Sequence, residues 1–250
     1  MTLDLTFFLL AVPAVIFAGI SKGGFGSGAA FAAAPLMALI IEPALAVGLM
    51  LPILIVIDAA TLKPYWRQWS APDVKLLILG GLPGVVLGAL FWRISNPDIL
   101  RVFLGVISLA FVAFQLARAT QLLRVSEKPF PPFVGVLTGA IGGFTSFVSH
   151  AGGPPIAVYL LAKGLSKTTY QATTVITFAF INVVKAVPYA MLGIFSVELL
   201  KVGFYLIPAA LFGAWLGVKA HRLIPERPFF AITYVLLTIT GTKLIWDALV

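Results

Sequence analysis

The chain has 250 residues, of which 60% are hydrophobic and only 10% are charged, with a formal net charge of +8. Its mean hydropathy is +1.06. A water-soluble domain of this size needs far more charged surface, so the composition excludes one and indicates an integral membrane protein. The apolar stretches are long rather than alternating, which favours membrane-spanning helices over a β-barrel. Cysteine is absent, which excludes disulfides and thiolate metal sites.

Ten apolar segments follow one another along the chain, five in each half. They cover residues 3–20, 25–41, 44–61, 74–92 and 99–117, then 133–148, 153–162, 169–192, 199–218 and 229–249. Several reach the length of about 20 residues that a helix needs to cross the hydrocarbon, whereas residues 153–162 suffice for about half of it. The expected fold is therefore all-α, with about 8–10 transmembrane or half-spanning helices.

A short polar, glycine-rich sequence interrupts these segments twice. The first copy, residues 19–28, reads GISKGGFGSG and leads to Pro35. The second copy, residues 139–150, reads GAIGGFTSFVSH and leads to Pro155, at a constant offset of 120 residues. A duplicated break in helices that otherwise suit lipid is the best sequence indication of a transporter's binding site.

Further matches extend this duplication over the two halves. Because five segments is an odd number, the second half starts on the opposite side of the membrane, which predicts two inverted repeats. We expect a first transmembrane repeat at residues 1–120, a cytoplasmic linker at 121–132 and a second transmembrane repeat at 133–250. The further matches are Ile57-Asp58 with Ile181-Asn182 and Pro64-Tyr65 with Pro188-Tyr189 at an offset of 124, and Gly84 and Gly88 with Gly213 and Gly217 at an offset of 129.

The basic residues predict the orientation. With the N-terminus outside, the inner loops hold eleven Lys and Arg residues, among them Arg118 and Lys167, and the outer side holds four. This bias is typical of a protein whose basic loops are cytoplasmic, so the net charge does not indicate nucleic-acid binding. Asp4 and the lack of a basic region before the first apolar run favour a first membrane helix over a cleaved signal peptide.

Lys22 is the candidate anion-binding residue of the first break. A lysine at bilayer depth costs about 3 kcal/mol on insertion scales, so such a lysine faces a cavity, a partner or a ligand. Amides exposed at Gly23 and Gly24, the hydroxyl of Ser27 and the start of the next helix would add donors that suit an oxyanion. The alternative is that Lys22 lies at the inner surface with its ammonium group in water.

The second break offers hydroxyl groups and an imidazole, which can donate to an anion. His150 could also carry a proton. For any single hydroxyl, packing between helices is the simpler explanation, but the cluster as a whole favours a site. The candidate residues of this break are Thr145, Ser146, Ser149, His150, Gly152 and Gly153.

Three further polar residues lie within apolar segments. Asn182 and Lys185 are nearly one helical turn apart and so share a face. Lys185 would strengthen the positive field of an anion path, or would pair with a carboxylate such as Asp58. Asp58 in turn could couple protons, neutralise a lysine, or lie at the inner interface, and the last is the simplest reading.

The sequence Gly-Phe-Gly-Ser-Gly at residues 24–28 leaves one enzymatic alternative open. With His150, Ser27 would form the nucleophile pair of an intramembrane hydrolase. The duplication explains this glycine-rich sequence better, so we expect no enzyme. No nucleotide-binding loop, metal-ligand cluster or haem signature is visible, and we expect no cofactor and no bound metal.

The chain resembles the TauE/SafE sulfite exporter family through residues 19–35, their second copy at 139–155 and the duplicated multi-helix build, over essentially its whole length. The resemblance implies passive or proton-linked movement of small sulfur-containing anions, such as sulfite or organosulfonates, across a bacterial inner membrane. The expected function is secondary transport, with export by alternating access. The expected partners are a small anion and the lipid bilayer, with no nucleic acid and a homodimer as one option. The alternative is a permease or channel for another small anion, such as a carboxylate.

Overall fold

A computed structural model describes residues 5–26, 29–122, 130–223 and 226–250, and the fold over these residues is helical. Eight of the helices are long and apolar enough to cross a membrane, whereas α2 and α7 are short. The prediction of an all-α, multi-pass membrane protein is confirmed. The helices are α1 (Leu5–Gly24), α2 (Ala33–Met37), α3 (Pro43–Leu62), α4 (Ala71–Ile94), α5 (Pro97–Ala119), α6 (Pro132–Ser149), α7 (Gly153–Leu161), α8 (Lys167–Met191), α9 (Val197–Leu223) and α10 (Glu226–Leu249), with a short 3-10 turn at Ala30–Ala32.

The two glycine motifs are the ends of full-length helices rather than breaks inside them. The first helix continues through Gly24, and the amide of Phe25 still donates to the carbonyl of Ser21. The expectation that Gly23 and Gly24 expose their amides is therefore wrong. The short elements follow the motifs: a five-residue helix in the first half and a nine-residue helix in the second. At 1.5 Å per residue, the nine-residue helix is about 14 Å long, half a membrane crossing.

The helix continues through the first motif because its glycines pack against α9. A Cβ atom on Gly19 would lie 2.5 Å from the carbonyl oxygen of Ala210, and one on Gly23 would lie 2.5 Å from that of Ala214. Residue numbers rise together on the two helices, so α1 and α9 run parallel. Small residues let membrane helices approach until their backbones touch, and this contact replaces the solvent exposure expected at a break.

Helices α6 and α4 form a matching interface, which corrects one predicted match. A Cβ atom on Gly143 would lie 2.2 Å from the carbonyl oxygen of Gly81. Gly80 and Gly213 contact residues at equivalent positions of the two halves, and so do Gly84 and Gly217. These glycines therefore match at an offset of 133, so the predicted match of Gly84 and Gly88 with Gly213 and Gly217 is wrong by one helical turn. The contacts that fix this register are Gly80 on Val136, Gly84 on Ala140, Gly213 on Ile16 and Gly217 on Ile20.

The helix packing crosses between the two halves of the chain. The first helix of each half packs along the penultimate helix of the other, α1 on α9 and α6 on α4. Helices α3 and α8 pack on each other, as do α5 and α10. This exchange is the arrangement that an inverted repeat would produce, and the division at residues 120 and 133 remains a prediction that it supports. The outer surface carries exposed apolar side chains such as Leu79, Val86 and Phe204, as lipid requires.

Candidate functional site

Five polar side chains meet in the interior where helices α1, α3, α6 and α8 come together. They are Lys22, Asp58, His150, Asn182 and Lys185, and all are buried, with Lys22 only 4% and Lys185 0% exposed. Ionisable side chains inside a membrane protein cost free energy to bury, so a cluster of them indicates a functional site. The structure thus brings residues from both glycine motifs together with the polar face of α8.

Lys22 forms a buried ion pair. Its Nζ atom lies 2.5 Å from Oδ1 of Asp58, and the side-chain amide of Asn182 donates to Oδ2 of Asp58 at 2.6 Å. Lys22 therefore does not extend to water, because both side chains are buried inside the protein and neutralise each other. Asp58 and Asn182, matched at an offset of 124, touch each other between α3 and α8.

Lys185 uses its ammonium group differently. Its Nζ atom donates to the main-chain oxygen of Ser146 at 2.8 Å, to the Ser146 hydroxyl at 3.0 Å and to Nδ1 of His150 at 3.0 Å. Asp58 forms its ion pair with Lys22, so the alternative prediction that Lys185 pairs with Asp58 is wrong. Among the residues that the structure describes, no carboxylate forms an ion pair with Lys185.

The position of His150 follows from the end of α6. His150 caps this helix with a left-handed backbone, φ 58°, a conformation uncommon for a residue other than glycine. Its Nε2 atom lies 2.9 Å from the carbonyl oxygen of Val47 on α3. Because a carbonyl only accepts, Nε2 carries the hydrogen and Nδ1 accepts from Lys185, which assigns a neutral imidazole.

The hydroxyls of Thr145 and Ser149 are directed to the main chain instead of the cluster. The Thr145 hydroxyl lies 2.8 and 3.0 Å from the carbonyl oxygens of Ile141 and Ala151 and donates to one of them at a time, and Ser149 donates to the carbonyl of Thr145 at 2.9 Å. Each hydroxyl has one hydrogen to donate, so neither is available to an anion in this conformation. Of the three predicted hydroxyl residues of this motif, Ser146 is the one in contact with a buried cation.

The remaining predicted residues have packing roles or lie outside the described residues. A Cβ atom on Gly152 would lie 2.6 Å from the carbonyl oxygen of Gly142, and Gly153 is buried at the start of α7. Gly23 and Gly24 pack on α9. Ser27 lies outside the described residues, and with it the proposed Ser27–His150 pair.

The carbonyls at the end of α1 are bound by side chains that the sequence did not single out as functional. Gln171 Nε2 donates to the Lys22 carbonyl at 2.6 Å, and the Tyr65 hydroxyl donates to that of Gly23 at 2.6 Å. A helix end leaves carbonyls without partners, and a buried end needs such donors. In the second half, Tyr189 donates to the Phe147 carbonyl near the end of α6. The match of Tyr65 with Tyr189 in the sequence could have indicated that both bind a helix end, whereas Gln171 has no matching glutamine in the other half.

A narrow gap and a large cavity lie on either side of the end of α1. The gap, about 10 Å³, is lined by Lys22, Ser146, His150, Asn182 and Phe178 among others, and has room for about one water molecule. The cavity, about 840 Å³, extends from Gln171 and Phe25 toward the ends of helices that carry Arg118, Lys167 and His221. These ends lie on the side predicted to be cytoplasmic.

An apolar cluster covers the other side of the polar residues. It includes Val47, Leu51, Phe147, Tyr189 and Ile194, all buried, from α3, α6, α8 and the turn after α8. The carbonyl of Val47 that contacts His150 belongs to this cluster. The packed side chains of this cluster therefore lie at the ends of α3, α6 and α8 that are predicted to face outward, whereas Gln171, which contacts the Lys22 carbonyl, lines the inner cavity.

Comparison with known proteins gives one match. The family model described as Sulfite exporter TauE/SafE matches residues 11–244, a range that includes both glycine motifs and all five polar residues of the cluster. A search of curated proteins and a search of solved structures each found no match. The match confirms the resemblance expected from the two motifs and indicates a membrane transporter of the sulfur-anion exporter type. The chain belongs to the TauE/SafE sulfite exporter family.

Proposed function

We propose that this protein is a secondary transporter that exports small sulfur-containing anions, such as sulfite or organosulfonates, across a bacterial inner membrane. The observation that carries the proposal is Lys185, a fully buried lysine without a carboxylate partner among the described residues. Its positive charge would be compensated by an anion that arrives in the gap between Lys22 and His150. A buried charge without such compensation is strongly unfavourable.

The groups around the gap suit an oxyanion. Lys22 and the side-chain amide of Asn182 line the gap and carry N–H donors, and Lys185 lies directly behind Ser146 and His150, which also line it. Sulfite and sulfonates present three oxygens around one sulfur atom, which several donors arranged around a small volume can share. The Ser146 hydroxyl, now bound to Lys185, could turn toward the same ligand.

The arrangement of gap and cavity supports alternating access. The gap is too small for a sulfonate, so an anion would enter only when the helices around it separate. The cavity on the predicted inner side would give the anion its route to the cluster, while the apolar cluster closes the outer side. An inside-negative potential favours anion exit by about 2.3 kcal/mol per charge per 100 mV, which agrees with export.

Asp58 and His150 are the groups that would couple transport to protons. Protonation of Asp58 would release Lys22 to a substrate. Protonation of His150 at Nδ1 would end its acceptance of a hydrogen bond from Lys185. Coupling through either group remains part of the proposal, and the alternative is movement down the anion gradient alone.

Counterflow in proteoliposomes tests the proposal. Vesicles loaded with unlabelled methanesulfonate should accumulate labelled methanesulfonate transiently, and Lys185→Met should reduce this uptake at least about 100-fold, because it removes the charge that binds the anion. Lys201→Met provides the matched control, since Lys201 is exposed at the start of α9. Normal uptake by the Lys185→Met protein would contradict the proposed site.

A ligand panel separates the alternatives. Ligand binding raises the melting temperature of the native protein, so sulfite, thiosulfate, organosulfonates and small carboxylates can be compared on the purified protein. A shift with carboxylates alone would keep the site and overturn the sulfur-anion substrate. Flux without saturation or counterflow would indicate a channel.

A further inference from the structure

The charges of the buried cluster can be counted from its hydrogen bonds. Lys22 and Asp58 form one ion pair of zero net charge. The three contacts of the Lys185 Nζ atom are to atoms that can accept, which fits an ammonium group, and Lys185 is taken as charged in this count. The imidazole of His150 donates through Nε2 and accepts through Nδ1, and so is neutral. Among the described residues that line the gap or contact its lining side chains, the total is one positive charge.

Among the described residues, no further charged side chain is in contact with this cluster. The remaining buried acid, Asp73, is bound to Tyr159 at 2.8 Å, to Ser70 at 2.6 Å and to Lys163 at 3.6 Å at the start of α4. His221 contacts the carbonyl of Gly24 at the inner cavity. Lys22, Asp58, His150 and Lys185 therefore determine the charge that a ligand meets in the gap.

We infer that this site selects substrates by charge and takes anions with a single negative charge, such as organosulfonates or hydrogen sulfite, in preference to dianions such as sulfate. The inference rests on the proposed function and narrows its substrate class. One negative charge brings the cluster to neutrality, whereas two leave a net negative charge in a medium that screens poorly. Asp58 acts as the built-in anion that reduces two lysines to a net charge of one.

Methanesulfonate and sulfate are the probes, because both are compact and tetrahedral around sulfur and differ in charge. Their dissociation constants are measured on the purified full-length protein by isothermal titration calorimetry, at constant ionic strength. The wild type should bind methanesulfonate at least about tenfold more tightly than sulfate, which corresponds to about 1.4 kcal/mol.

Asp58→Asn should reverse this preference. The amide keeps the shape of the carboxyl group and leaves Lys22 and Lys185 with a net charge of two, so sulfate should then bind more tightly than methanesulfonate. The double variant Lys22→Met/Asp58→Asn returns the net charge to one and should restore the preference for methanesulfonate. This double variant separates the effect of charge from the loss of the Lys22–Asp58 contact.

Asp98→Asn is the matched control. Asp98 lies at the start of α5, where it pairs with Arg101 at the surface, and its substitution should leave the ratio of the two constants unchanged. The wild-type ratio and the double variant remain decisive even if the Asp58→Asn protein does not fold.

The results distinguish the charge inference from the proposed function. A wild type that binds sulfate as tightly as methanesulfonate, with both lost in Lys185→Met, overturns the charge inference and leaves the transporter proposal standing. If the ratio of the two dissociation constants is unchanged in a folded Asp58→Asn protein, the charge inference is likewise overturned and the transporter proposal stands. Binding of neither anion at tens of millimolar, by a protein that is stabilised by carboxylates, overturns both.

Discussion

The two halves of the molecule repeat the same frame, meaning the close helix contacts and the bound helix ends, but carry different charged side chains on it. The glycines at 23 and 143 each bring one helix against a helix of the other half. Tyrosines 65 and 189 each donate to a carbonyl near the end of a glycine-motif helix. The charged residues do not repeat: at the offsets of 120 and 124, Lys22 is matched by glycine, Lys185 by threonine and Asp58 by asparagine.

This difference separates the residues that build the protein from those that we propose give it a ligand. A duplicated frame needs close helix contacts and bound helix ends in both halves, so glycine and tyrosine occur in both. A site between the halves needs each charge only once. Lys22 comes with a carboxylate and Lys185 without one, so the same substitution should have opposite consequences at these two positions.

The largest expected effect on stability is at Lys22. Lys22→Met leaves Asp58 as a buried charge without its partner, which should lower the free energy of unfolding by about 3–5 kcal/mol. Lys185→Met removes a charge that has no carboxylate partner among the described residues, and should leave stability unchanged or raise it. Thermal unfolding of the two purified variants, in the same detergent and without anions, measures the contrast. Equal destabilisation of both would break the distinction between the two lysines.

The duplicated glycines should give a smaller effect that is alike in both halves. In Gly23→Ala and Gly143→Ala the new methyl group would meet a carbonyl oxygen at 2.5 and 2.2 Å, so the helices must separate. Overpacking of this kind costs about 1–3 kcal/mol. Gly203→Ala is the control, because its methyl group would find neighbours no closer than 3.7 Å. A melting temperature that falls for one of the two glycines and not for the other would argue against equivalent interfaces.

The smallest effect is expected at the duplicated tyrosines. Tyr65→Phe and Tyr189→Phe each remove a hydroxyl that binds a buried main-chain carbonyl, and each should lower stability by about 1 kcal/mol, the net contribution of one hydrogen bond. Anion binding should persist in both variants, since neither residue contributes a charge. Loss of binding in Tyr65→Phe at unchanged stability would assign that residue to the site instead of the frame.

Much of the frame could be predicted from the sequence, because it depends on patterns that repeat. The apolar segments indicated the helices, and the repeat matched Asp58 with Asn182, whose contact in the structure was not predicted. The role of Gly23 and Gly24 could not be predicted, since a glycine pair reads equally as a break or as a close helix contact. Only the position of α9 decides between the two.

The site was harder to predict than the frame. Lys22, His150 and Lys185 were identifiable as polar residues at membrane depth, but the choice of partner for Asp58 depends on the tertiary arrangement. Thr145 and Ser149 were expected to face a ligand, and their hydroxyls instead bind carbonyls of their own helix because α6 continues through the motif. The role of Gln171 could not be recognised in the sequence, because a glutamine near a helix start can serve many structural purposes and its partner is 149 residues away.

The most direct test of the account is an experimental structure of the protein with bromomethanesulfonate, in which the anomalous signal of bromine locates the anion. We expect one site per chain, with the sulfonate oxygens in hydrogen-bond contact with Lys185 and Lys22 and with the gap widened around it. A signal confined to the inner cavity near Arg118 and Lys167, with the polar cluster still closed, would contradict the claim that the buried lysines bind the transported anion.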